Sequence, residues 1–297
     1  MADLTTDYHS LRHEVGAVRL ARDVVRVVGP DAVSYLQGQL SQDVEVLAGG
    51  ASAWSFVLEP QGKVDAWFRV TRLDDGVLID VDGGAGDAVV TRLERFLLRT
   101  KATVERLDWS CVAVRGPNTP AALPPPEGGV AIRVDWPPMT GTDLLGPAVA
   151  IPDGVPECGV DAYEALRIEA GIPAMGRELT PATIPEESGV VDRSVSFTKG
   201  CYTGQELVAR VDSRGRNVPR RLRGVIIGAN VIPPVGAAVV VGGDEVGALT
   251  SVAQSLDLRA PVALAYIRRG VESPADAVVR WDGGEVAAQL APLPLVT

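Results

Sequence analysis

Histidine is almost missing from this chain: His9 and His13 are the only two in 297 residues, and both lie in a polar N-terminal segment. A Ser-His-Asp triad would have to recruit one of them, and no GxSxG elbow is present. The segment around His13 reads HEVGA and lacks the second histidine of a zincin helix. Cysteine is nearly as scarce. Cys111, Cys158 and Cys201 are odd in number, far apart and form no CxxC pair. That argues against a disulfide framework and a zinc knuckle. Three thiols also fall short of the four a permanent iron–sulfur cluster takes. No resident metal is expected. No apolar run approaches the roughly 20 residues that cross a bilayer. The opening residues have no apolar core of a secretory signal, so a cytoplasmic protein without a membrane partner is expected. The net charge of −10 repels nucleic acid, which is not an expected partner.

What is present suits a soluble protein of about two domains, with 46% hydrophobic and 22% charged residues. Val24–Val28 reads as a strand, and Gly29-Pro30-Asp31 opens a helix through Leu40. Strands are expected at Ala53–Leu58, Lys63–Thr71 and Val77–Val81, a helix over Asp87–Leu98, and a strand over Cys111–Val114. The Pro/Gly-rich stretches 116–138 and 146–159 read as connectors. After Arg223, six short apolar runs alternate with turn residues, the pattern of a small antiparallel barrel or sandwich. The fold class is therefore α+β, with residues 1–217 forming the α+β region and 218–297 a C-terminal β-barrel.

Two places stand out chemically. Lys199–Glu206 reads KGCYTGQE, with one thiol between a glycine and a helix start. Val195, Phe197 and Thr198 read as a strand end, Gly200 as a hinge, and Thr203 with Glu206 as a capping box. A helix N-terminus and Lys199 would both favour the reactive thiolate of Cys201. A small residue buried in a tight turn accounts for the same sequence. The second place is Asp161–Ala170, a helix with Asp161 and Glu164 as its cap. Here Glu169 falls on the apolar face in the last turn, while Glu164 and Arg167 take the polar side. It reads either as a core carboxylate paired to an arginine or as an acceptor for a ligand with adjacent N–H donors.

The octet resembles the signature of the YgfZ family, folate-binding iron–sulfur maintenance proteins related to the glycine-cleavage aminomethyltransferases. Ala165–Pro173, Ile184-Pro185-Glu186-Glu187, Gly29–Ala32 with Leu36–Val44, and Gln61-Gly62-Lys63-Val64 resemble other stretches of that family. The resemblance implies interleaved N-terminal α+β domains around a central cavity, then the barrel. It implies tetrahydrofolate, or another folate derivative, as cofactor, and iron–sulfur proteins or their assembly machinery as partners. By position it gives Glu169 the pterin and Tyr202 a place in the cofactor contact. It gives Cys201 the reactive role, supported by Lys199 and Gly200. An arginine cluster follows the signature, and Arg210, Arg221 and Arg223 are assigned to the folate glutamate carboxylates. The alternative is an aminomethyltransferase-like one-carbon enzyme with Asp65 as base, although only one acid of the usual pair is present in Val64-Asp65-Ala66. Whether there is catalytic turnover stays open.

Overall fold

A computed structural model of the chain describes residues 3–296. In chain order the first elements are α1 (Leu4–His13), β1 (Gly16–Leu20), β2 (Arg22–Val28), α2 (Ala32–Gln39), β3 (Ser52–Leu58), β4 (Val64–Leu73), β5 (Gly76–Asp82), α3 (Gly86–Glu94) and β6 (Thr103–Leu107). Next come β7 (Ser110–Arg115), β8 (Val130–Val134), β9 (Gly141–Gly146), α4 (Val160–Glu169), α5 (Val191–Ser194) and α6 (Gln205–Ser213). The last are β10 (Arg220–Ile227), β11 (Ala238–Val241), β12 (Asp244–Ser255), β13 (Ala260–Arg268), β14 (Ala275–Trp281) and β15 (Gly284–Ala291). These form two compact units. The first is Met1–Leu20, Cys111–Pro173 and Pro219–Thr297; the second is Ala21–Ser110 and Ala174–Val218.

In the first unit, β10–β15 close into an antiparallel barrel in the order β10-β13-β12-β11-β14-β15. Each of the six apolar runs became one strand. The period-2 alternation of β13 explains its near-continuous apolar sequence. Ala263, Ala265 and Ile267 fill the barrel, while Val262, Leu264 and Tyr266 pack outward against Ile168 of α4. Closure removes the exposed edges that six short strands would otherwise leave. The same unit holds a sheet ordered β1-β7-β9-β8, whose core is Ala17, Val112, Val114, Leu144 and Val149.

The second unit is a five-stranded sheet, β3-β4-β5-β2-β6, antiparallel throughout. Val25, Val27, Phe68, Val70, Ile79 and Val81 face Leu36 and Leu40 of α2 and Val89 and Leu93 of α3. Asp65 of β4 sits at the register shift opposite Val57 and Leu58, while the alternate residues Trp67 and Arg69 lie on the other face. There the Trp67 ring stacks on Trp54 at 4.1 Å, and Arg69 pairs with the buried Asp80 at 2.9 Å.

Local expectations are corrected in several places. Residues 195–198 form no strand, because Val195 ends α5. The stretch 116–138 contains β8, paired to β9. The α3 helix stops at Glu94 rather than Leu98. Gly159 caps α4 and no side chain does so; its N–H donates to Asp7 Oδ2 at 2.7 Å instead. Arg167 is buried at 4% exposure rather than solvated. Its guanidinium donates to Ile172 O, Ser251 Oγ and Glu164, which leaves little reason for it to seek water.

Candidate functional site

The KGCYTGQE segment belongs to the second unit and runs beside residues 37–42, at and beyond the C-terminal end of α2. Ser41 Oγ donates to Ser194 O at 2.6 Å, and Ser196 N–H donates to Ser41 O at 3.0 Å. Lys199 Nζ donates to three carbonyls, Gln37 O and Leu40 O at 2.7 Å and Gln42 O at 2.9 Å. Thr203 N–H donates to Gly38 O at 3.2 Å. A helix leaves its last carbonyls unpaired and carries partial negative charge at that end, so an ammonium there satisfies both needs. Gln37 shapes the receiving turn: its Oε1 accepts from Val44 N–H, and its Nε2 donates to Asp43.

Lys199 therefore serves the shape of the loop. All three of its N–H donors are directed at backbone oxygens, and its charge also lies 5.2 Å from the Tyr202 ring. Burial pulls Lys199 down to about 8, against the opposing pull of Asp43 and Glu45. Between about pH 8 and its ordinary 10.5 the unfolded chain holds more protons than the folded one, so this group makes stability rise with pH. Lys199→Met, which strands three carbonyls, is expected to lower stability by about 1–3 kcal/mol at neutral pH. Urea midpoints should show the gap between wild type and variant widening from pH 7.5 to 9.5; a constant or shrinking gap would contradict this.

Tyr202 is buried, and desolvation pushes its hydroxyl up to about 12. Its ring packs within the loop, beside the Lys199 ammonium. The Thr203–Glu206 capping box does not form. Gly204 is the N-cap of α6 at φ 82°, and Gln205 Oε1 accepts from Tyr202 N–H at 3.1 Å. Gly204 is also the turning residue. Gly200, the expected hinge, has no left-handed backbone, and a Cβ there would meet nothing within 4 Å. A Cβ on Gly204 would lie 2.5 Å from Glu59 O, and one on Gly62 would lie 2.4 Å from Leu207 Cβ. The hairpin of Gln61-Gly62-Lys63 thus sits directly on the start of α6. Three separated motifs converge here: the end of α2, this hairpin and the octet.

Between its tied-down neighbours Cys201 is exposed. Cys111 and Cys158 are buried at 3% and 6%, and desolvation pushes the Cys158 thiol up to about 11. The chain thus offers solvent a single thiol among its described residues, on a loop fixed from both sides.

Asp65 on β4 pairs with Arg92 of α3, Nε to Oδ2 at 3.1 Å. Arg92 also donates to Gln39 Oε1 and Leu58 O, and its guanidinium lies 4.3 Å from the Phe96 ring centroid. A carboxylate held in that ion pair is a poor candidate for a free base. Arg92 was not singled out from the sequence, although it interrupts the apolar run between Val89 and Leu93.

Glu169 lies in the first unit and is fully buried at 0% exposure. Tyr8 OH donates to Oε1 at 2.7 Å, while Oε2 has no well-formed hydrogen bond. Desolvation pushes the carboxyl upward, partly offset by the Ser255 and Tyr8 hydroxyls. Its backbone carbonyl receives Leu295 N–H at 2.7 Å. Tyr8 thus occupies one carboxylate oxygen and leaves the other as a buried acceptor; the core partner of Glu169 is a tyrosine, not an arginine.

The arginine cluster is divided as well. Arg210 and Arg214 are exposed on α6 and its end, and Arg216 pairs with Asp192 and Asp212. Arg220 stacks on Tyr266 at 4.3 Å in the other unit. Arg221 and Arg223 share the row of β10 that carries Val225 and Ile227. Arg223 is partly buried and has no ion pair among the described residues; desolvation and its neighbour Arg221 lower its pKa, against the opposing pull of Glu272. An incoming carboxylate would relieve that cation.

Residues 220–296 match the glycine cleavage T-protein C-terminal barrel domain. An aminomethyltransferase of Streptomyces avermitilis is 28% identical over 94% of this chain and 87% of its own length. A tRNA-modifying protein YgfZ of Enterobacter sp. is 30% identical over 64% of this chain and 65% of its own. Among solved structures, the glycine cleavage system aminomethyltransferase T of Bartonella henselae has the same fold. Its TM-score is 0.86 over 99% of this chain and 89% of that one, at 22% identity. No helix among the described residues is long and apolar enough to cross a membrane. The chain is thus similar to YgfZ and to the glycine-cleavage aminomethyltransferases, and its residues 220–291 close into a six-stranded barrel that matches the T-protein C-terminal domain.

Proposed function

We propose that this chain is a reduced-folate-binding accessory protein for iron–sulfur enzymes, with Cys201 as its working group. The observation that carries the reading is the exposed thiol on a loop that Lys199, Thr203 and Gln205 hold in place. A solvent-facing thiol on a loop tied down by hydrogen bonds is suited to meeting a macromolecular client or a transient cluster, whereas Cys111 and Cys158 are shielded from both. Bound tetrahydrofolate would supply a one-carbon carrier. In the protein, Arg223 and Arg221 would hold the glutamate carboxylates. Glu169 would take no direct part.

Titrating the full chain with tetrahydrofolate by calorimetry tests the folate half of this reading. Saturable binding with a Kd on the order of micromolar is expected. Arg223→Gln should weaken it about tenfold, and a triglutamate form should bind tighter at low salt. An absence of saturable heat would remove folate from the account.

A one-carbon transferase is the second reading, favoured by the match to an aminomethyltransferase along nearly the whole chain. The Asp65–Arg92 pair speaks against it, since the residue in the base's place is already engaged. A tRNA contact, suggested by the name of the YgfZ relative, would have to use the exposed Arg210 and Arg214 against a net charge of −10.

A further inference from the structure

We infer that the cleft beside Asp65 is a separate binding site for a small zwitterion carrying an amine and a carboxylate. It lies wholly in the second unit and has a volume of about 400 Å³. Glu59, Gln61, Asp65, Arg92, Arg95 and Phe96 line it. That size is in the range of small-molecule sites.

The lining holds two acids and two arginines, and they are not equivalent. Asp65 and Arg92 engage each other, and the remaining nitrogens of Arg92 are directed at Gln39 and Leu58. Glu59 and Arg95 form no ion pair, with each other or with any other described residue. The Arg95 guanidinium lies 5.8 Å from the Phe96 ring centroid, a ring still 38% exposed at the cleft. The site thus presents a carboxylate and a guanidinium with no ion pair among the described residues, and a partly exposed aromatic ring flanked by Arg92 and Arg95.

A singly charged ligand would cover one of these charges and leave the opposite one partly dehydrated without a partner, at a cost in free energy. A zwitterion pairs with both, its amine toward Glu59 and its carboxylate toward Arg95. Its carbon chain would lie along Phe96, with the Gln61 amide available at the rim. The backbones that carry the two charges are held in place. The Glu59 hairpin is closed by Glu59 N–H to Lys63 O and Gly62 N–H to Glu59 O, and Gly62 abuts α6. Arg92 ties the end of α3, which carries Arg95, to that same hairpin strand. Such preorganisation lowers the ordering cost of binding.

The test uses the full chain and amines and acids of graded length: glycine, 4-aminobutyrate and 6-aminohexanoate, with butyrate and butylamine as single-charge controls. Calorimetry or ligand-observed NMR should show one chain length bound best, with a Kd on the order of 1 mM or tighter. The single-charge controls should bind at least tenfold more weakly. Glu59→Gln and Arg95→Gln should each weaken the best ligand at least tenfold while melting like wild type, and Cys201→Ser should change nothing. No saturable binding by any member, equal binding of the controls, or wild-type affinity in both variants would each overturn the site. Neither result depends on whether folate binds.

Discussion

Gly204→Ala is expected to destabilise the protein by about 2–5 kcal/mol, the sum of two costs that the structure separates. The left-handed backbone at φ 82° costs an alanine about 1–2 kcal/mol. The new methyl would also lie 2.5 Å from Glu59 O and 2.7 Å from Leu58 Cβ, both held by the strand and hairpin below, and overpacking of that kind costs about 1–3 kcal/mol. Against a total stability of about 5–15 kcal/mol this is a large share. Gly215 is the control: its φ is 74°, but a Cβ there meets nothing within 4 Å, so Gly215→Ala should lose the backbone cost alone. Urea unfolding of the two variants beside wild type measures the difference. Equal losses at the two positions would mean that the contact between the hairpin and the octet has no energetic weight.

The barrel was readable because its strands are short and its turns are marked by Gly, Pro and Asp, so each apolar run had one interpretation. The central sheet was readable for the same reason. Other features depended on residues distant in sequence. Helical geometry placed Glu169 on an apolar face, and it is indeed buried, yet its partner is Tyr8, 161 positions away. Lys199 sits next to the cysteine in sequence, which suggested an electrostatic partnership. Its real partners are carbonyls at 37, 40 and 42, groups that carry no mark in a sequence. Arg167 looked solvated because Glu164, Ile172 and Ser251 had not yet been brought around it. The α1 helix was passed over as a polar segment, although Leu4, Tyr8 and Leu11 have helical spacing and Tyr8 and Leu11 are buried. In β8 the five strand residues are hidden by the Pro/Gly-rich sequence around them.

Cys201→Ser should have the largest functional effect and almost no structural one. The side chain is exposed and serine differs from cysteine by one atom, so the change in stability should stay within about 0.5 kcal/mol. The loop does not need the sulfur, because Lys199, Thr203 and Gln205 fix it. Chemically the two residues diverge. A thiol ionises readily near neutral pH, attacks electrophiles and ligates iron, whereas a serine hydroxyl without an adjacent base does none of these well. Gly204→Ala perturbs the platform and Cys201→Ser only the group it presents, so the pair separates architecture from chemistry. The decisive measurement is the activity of iron–sulfur enzymes in cells whose only copy of this protein carries Cys201→Ser, with its melting temperature and abundance checked against wild type. The account predicts activities at least tenfold closer to those of cells lacking the protein than to wild type; full activity would contradict it.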